Sequence, residues 1–228
     1  MPIFRSADKV YYFAHVPRCG GTSVEDGIAA AGAPLSFLDR KHHARRSAVW
    51  TKTSPQHALA RDIEPLFAEG FVDHSFAVMR DPVARFVSAF NFNRDNELID
   101  AGTSVDDFAA ELARRGDGFA GAFDNHFVPA SEIAPANARL FRLEDGLAAV
   151  GAWLTDVTVG ALAPTFGSKN ARSFSLKAYE RRAKRAVGLS ARVEPVAAAD
   201  LSEGALSHIR RVYASDDERL AKLAAGTR

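Results

Sequence analysis

A single cysteine, Cys19, among 228 residues excludes an internal disulfide framework and any metal site built from paired thiolates. No apolar run approaches the roughly 20 residues a membrane-spanning helix needs, so no membrane span is expected. The first residues lack a charged-then-apolar export pattern, which predicts a cytoplasmic chain. Charge of one sign is missing too: 29 Lys and Arg against 28 Asp and Glu leave a formal +1, which argues against a nucleic-acid partner. His-Glu-x-x-His and acidic calcium loops are absent, so no metal is expected. Gly-x-Ser-x-Gly elbows and Rossmann glycine fingerprints are absent as well, which leaves hydrolase and dehydrogenase readings without local support. Without linkers or repeats, residues 1–228 read as one domain.

What is present begins at Phe13-Ala14-His15-Val16-Pro17-Arg18-Cys19-Gly20-Gly21-Thr22-Ser23, where an apolar run enters a Gly-Gly-hydroxyl turn that opens a helix. Backbone amides cradle phosphate in such turns, at a positive helix N-terminus. Thr22 and Glu25 fit a capping box, and Val24, Ile28 and Ala31 recur at helical spacing. Aligned on a Walker A motif, the turn has His15 at the first glycine position and Gly21 in place of the lysine. Arg18 supplies a positive charge from within the turn instead. A second strand-to-helix joint reads Phe76-Ala77-Val78-Met79-Arg80-Asp81-Pro82-Val83-Ala84-Arg85-Phe86-Val87-Ser88-Ala89-Phe90. Asp81 suits the N-cap and Pro82 the first helical position. Val83, Phe86, Val87 and Phe90 share one helical face, while Arg85 and Ser88 share another. Arg80 and a helix hydroxyl offer donors to a phosphate dianion.

Together the two segments resemble the paired signatures of sulfotransferases that use 3′-phosphoadenosine 5′-phosphosulfate (PAPS), in the branch containing glycan O-sulfotransferases. That branch typically reads His-Ile-Pro-Lys-Thr-Gly-Gly-Thr-Ser, and its Arg-Asp-Pro-x-x-Arg-x-x-Ser-x-aromatic signature is met in full from Arg80 to Phe90. The resemblance implies that Arg18, Cys19, Gly20, Gly21, Thr22 and Ser23 bind the 5′-phosphosulfate and that Arg80 and Ser88 bind the 3′-phosphate. It implies PAPS as co-substrate and, as partner, a hydroxyl-bearing acceptor such as a glycan or glycolipid. Two departures stand in the loop. Arg18 replaces the lysine next to the transferring group, and Cys19 replaces threonine; a thiol at a cationic helix start can titrate low, but the favoured reading of Cys19 is a plain small residue.

Sulfuryl transfer to a hydroxyl needs a base for the acceptor proton. The resemblance points to the region between the signatures, where His57 in Ser54-Pro55-Gln56-His57-Ala58 is the leading candidate. Glu25 is the second, His42 and His43 compete, and His74 and His126 read as structural. Lys169 to Arg192 carry eight Lys or Arg against one acid, either a solvated helix face or an anion-binding segment in which Lys169 and Arg172 close over the nucleotide. Phe119, Phe123 and Phe127 read as core or as a stacking surface for the acceptor. The expected fold is α/β, a P-loop-like three-layer domain whose central, mainly parallel sheet uses Val10–Val16, Phe76–Met79 and Arg139–Leu143 and is flanked by helices, with both anion motifs at the carboxyl ends of strands. A nucleotide kinase or NTPase of related fold, and a non-catalytic relative that binds PAPS or a sulfated ligand, are the alternatives.

Overall fold

The computed structural model describes residues 1–44, 51–167 and 194–226. Among them four strands form one sheet in the order β1-β2-β3-β4: β1 Ile3–Ser6, β2 Lys9–Ala14, β3 His74–Met79 and β4 Arg139–Arg142. The three expected strands are present and parallel, with Ala14 opposite Ala77 and Met79 opposite Arg142. The unforeseen strand is β1, which pairs antiparallel with β2. Its turn, Ala7-Asp8, takes positive φ at both residues (48° and 61°) as a tight hairpin requires, but lacks the Asn-Gly or Asp-Gly signal that marks such turns in sequence.

Each parallel strand leads into a helix, so the strand ends and helix starts gather at one edge. Helix α1 spans Gly21–Ala30, the short α2 Ala60–Ile63, α3 Pro82–Asp95, α4 Val105–Arg115, the short α5 Ala130–Ile133 and α6 Ala148–Val157. Two closing helices follow, α7 Glu203–Val212 and α8 Ala214–Ala224. Helix α3 begins as its sequence predicts, with the Asp81 carboxylate accepting from Ala84 N at 2.8 Å and Pro82 at the first position. Ser104 caps α4, and Gly116, at φ 73°, ends it. Helix α1 departs from expectation: its N-cap is Gly20 in the left-handed region (φ 79°) with no side-chain cap, so Thr22 and Glu25 form no capping box. The Glu25 side chain is engaged elsewhere.

Two apolar cores result. One lies on the sheet, where Phe13 stacks on Phe76 at 4.9 Å and Trp153 of α6 packs on Phe76 and Phe141. In the other, Phe108 of α4 meets Phe86, Phe90, Phe119, Phe123 and Phe127. Phe119 and Phe127 are thus core residues, and this packing accounts for the aromatic run without an acceptor.

Arg85 joins these parts from the inside. It is 1% exposed; Nε donates to Pro17 O at 3.1 Å, Nη2 to Val128 O at 2.7 Å and His126 O at 3.3 Å, and Nη1 lies 3.8 Å from Asp216 Oδ2. Asp216, in α8, accepts from the amides of Ala130 and Ser131 at 2.8 Å, which anchors the first turn of α5. Removing one member of a buried pair strands the other, at a cost of about 3–5 kcal/mol. Arg85→Ala is therefore expected to lower the unfolding free energy in urea by about that amount; a loss below about 1 kcal/mol, the scale of an exposed pair, would contradict the assigned role.

Candidate active site

The turn between β2 and α1 is shaped by a close approach of side chain to backbone. A Cβ at Gly21 would lie 2.0 Å from His15 Nε2, so only glycine leaves room for the imidazole. Arg18 and Gly20 both take positive φ (68° and 79°), and with Gly20 as N-cap the first amides of α1 have no preceding helical carbonyl to reach. Thr22 is exposed and Ser23 half-buried on that first turn. Cys19 points inward at 1% exposure, and burial pushes its thiol up to about 12 despite the nearby charges of Arg85 and Arg80. The side chain is thus a small core residue, the favoured of the two readings, and not a low-titrating thiol.

Arg18 turns toward the second joint. Its Nε donates to Ser88 Oγ at 3.1 Å and its guanidinium lies 4.5 Å above the Phe92 ring. Arg80 follows β3 directly, and its Nη1 reaches Arg18 O at 3.5 Å. Two residues from one motif and one from the other thus meet across 70 positions of sequence. Burial, and then the charge of Arg80, lower the Arg18 pKa, and among the described residues neither arginine forms an ion pair with a carboxylate. Asp81, the acid next to Arg80, is used as a helix cap. Cations crowded together with no carboxylate in ion-pair contact, only the weaker pull of the Asp95 charge on Arg18, form a site for an anion. Arg85 and Ser88, placed together by helical spacing, have different tasks, since Arg85 is spent on backbone carbonyls.

The other wall consists of imidazoles and carboxylates. Glu25, 2% exposed, accepts from His15 Nδ1 at 2.5 Å and from Arg40 at 3.3 Å. Burial alone would raise its pKa, but the His15 hydrogen bond and the charges of His15 and Arg40 outweigh that and hold it low. His57 closes a short turn, Pro55–His57, and its Nδ1 lies 2.8 Å from Asp124 Oδ2. Its ring meets His15 edge-on at 4.8 Å and His126 at 5.4 Å. His126 packs on Phe92 at 5.0 Å, so a chain of ring contacts leads from His57 to the ring beneath Arg18. Burial lowers the His57 pKa to about 4, against the pull of the Asp124 hydrogen bond. Burial also lowers His126, so both rings are neutral at pH 7. His43 reaches Asp124 Oδ2 at 3.2 Å from an exposed position, His42 is buried beside it, and His74 stacks on Tyr11 within the sheet.

Asp124, two residues before His126, is the site residue that sequence reasoning passes over. Ligand atoms of His57, Asp124 and His126 lie within 4.8 Å of one another, a grouping of metal-ligand types that no sequence motif announced. Its tightest contact is the His57–Asp124 hydrogen bond. Lys169 and Arg172, the expected closing basic residues, lie outside the described residues.

A family model described as the sulfotransferase family matches residues 1–218. No curated protein and no solved structure matches the chain.

The buried neutral imidazole carries a pH signature. The His57 pKa in the folded chain, about 4, is below its ordinary 6.5. Between those values the unfolded chain binds a proton that the folded chain does not, so stability falls as pH drops through the window. The urea midpoint is expected to be lower at pH 5 than at pH 7, with a smaller difference in His57→Gln. An unchanged difference would show that His57 is not buried neutral.

Proposed function

The chain belongs to the sulfotransferase family, and from that premise and the site's geometry we propose that it moves the sulfuryl group of PAPS to a hydroxyl of a carbohydrate acceptor, a glycan or glycolipid. The observation that carries this reading is the Arg18–Ser88 contact, with Arg80 alongside, which joins the two anion motifs into one cationic pocket free of ion-paired carboxylates among the described residues. The pocket fits a donor with two anionic ends: the turn Arg18, Cys19, Gly20, Gly21, Thr22 and Ser23 for the 5′-phosphosulfate, Arg80 and Ser88 for the 3′-phosphate.

The donor supplies an activated sulfuryl group, which passes in line to the acceptor oxygen. The protein's task is positioning and charge stabilisation, as in phosphoryl transfer. Arg18 holds its planar charge beside the turn, where negative charge grows on the leaving oxygen. It can do so through two donors where a lysine offers a single point charge. His57, neutral at pH 7 and two ring contacts from Phe92, takes the acceptor proton as general base, a contribution of roughly 100- to 10,000-fold in rate. Glu25 is the poorer candidate, because His15 and Arg40 already occupy its oxygens.

The roles separate experimentally. His57→Ala is expected to lower sulfuryl transfer at least about 100-fold while donor affinity stays within about twofold. Arg80→Ala, losing charge-assisted hydrogen bonds, is expected to weaken donor binding about 10- to 100-fold. Calorimetric titration with adenosine 3′,5′-bisphosphate and a transfer assay check both; normal turnover by His57→Ala removes His57 from the mechanism, and normal donor binding by Arg80→Ala removes Arg80 from the 3′-phosphate site.

A further inference from the structure

We propose that Asp124 is the positioning residue of this site: it fixes His57 in the tautomer that carries its proton on Nδ1 and so keeps the Nε2 lone pair open to the acceptor. The proposal rests on the reading of His57 as base. Four observations on the Asp124 loop support it.

The Asp124 carboxylate is met by Ser54, by His57 and, from an exposed position 3.2 Å from Oδ2, by His43 Nε2, and His57 is its closest imidazole. Oδ1 accepts from Ser54 N at 2.6 Å, while Oδ2 accepts from Ser54 Oγ at 2.7 Å and lies 2.8 Å from His57 Nδ1. A carboxylate has no proton to give, so His57 Nδ1 is the donor. Burial would raise the Asp124 pKa, but the hydrogen bonds from His57 and Ser54 more than reverse this, and the group is ionised at neutral pH.

The same loop also holds the His57 backbone. Asn125 Nδ2 donates to His57 O at 2.8 Å, and His57 N donates to Ser54 O at 3.0 Å, so backbone and ring are fixed together. Nε2 makes no hydrogen bond to any described residue.

Presenting Asp124 carries a conformational cost. Phe123, Asp124 and Asn125 all take positive φ (48°, 54° and 59°). Three successive non-glycine residues in the left-handed region persist only where the surroundings force them, and such strain gathers at functional sites.

His126 is held in a defined state as well. Asn93 Nδ2 donates to Ala89 O at 2.8 Å and lies 3.1 Å from His126 Nδ1. The amide donor makes that Nδ1 an acceptor and puts the His126 proton on Nε2, the tautomer opposite to that of His57. Two neighbouring imidazoles thus have set and different proton positions.

The substitution Asp124→Asn separates positioning from packing. Ser54 N requires an acceptor at the Oδ1 position, so the asparagine amide nitrogen must take the place of Oδ2 and donate to His57 Nδ1. The imidazole then carries its proton on Nε2, aimed at the acceptor site, with shape and burial unchanged. Nitrogen-detected NMR of histidine-labelled protein, without donor or acceptor, reads the tautomer directly. The expected result is an Nδ1-protonated His57 in the wild type, an Nε2-protonated His57 in Asp124→Asn, and transfer lowered about 100-fold or more at unchanged bisphosphate affinity. The double variant Asp124→Asn/His57→Ala should be no slower than His57→Ala alone. Wild-type protein with His57 protonated on Nε2 overturns the proposal even if the variant does not fold, as does a variant with an unchanged tautomer. Correct tautomers in a protein that transfers no sulfuryl group would leave the proton positions standing and defeat the base assignment alone.

Discussion

The site depends on one buried guanidinium. Arg85 has no route to solvent, and the carbonyls that meet its Nε and Nη2 donors belong to Pro17, His126 and Val128, while Nη1 makes no hydrogen bond and faces the Asp216 charge at 3.8 Å. Those residues flank the two halves of the site, the glycine turn on one side and the imidazole loop on the other. A hydrophobic contact would tolerate sliding by an ångström; three directional bonds from a rigid planar group do not. Asp216 lies close to the same guanidinium from α8, so the closing helix is tied to the spacing between the arginine turn and the imidazole loop.

Around that rivet charge is divided. Arg18 and Arg80 lie close enough for Arg80 to depress the Arg18 pKa, a repulsion that a bound anion relieves. Across the Phe92 and His126 rings burial has the opposite use, keeping His57 and His126 uncharged and able to accept a proton. Cations are grouped on one side of the site and neutral imidazoles on the other. Perturbed titration of both kinds, produced by geometry and not by a metal motif, distinguishes this cluster from ordinary surface.

Much of the arrangement could be read from the chain because it is local. The Asp81-Pro82 helix start, the three parallel strands, the Ser104 to Gly116 helix and the glycine turn all depend on residues a few positions apart. What escaped was set by contacts distant in sequence. Asp124 meets Ser54 and His57 from about 70 positions away, and nothing in Phe123-Asp124-Asn125 announces a left-handed run. Glu25 fitted a capping box by spacing, but the buried His15 imidazole outcompetes an exposed helix end for its carboxylate. Arg85 shares a motif with Arg80, yet one is swallowed by the core and the other stays at the strand end, a distinction that depends on which helix face the second core covers.

The central claim is that Arg80 and Ser88, beside the Arg18 turn, recognise a nucleotide by its 3′-phosphate. Calorimetric titration of the wild-type protein with adenosine 3′,5′-bisphosphate, ADP and ATP in metal-free buffer tests it most directly, since the ligands differ in where their phosphates sit. The account predicts at least about tenfold tighter binding of the bisphosphate, the equivalent of one charge-assisted contact. Equal affinity for all three, or no binding of the bisphosphate, would contradict it.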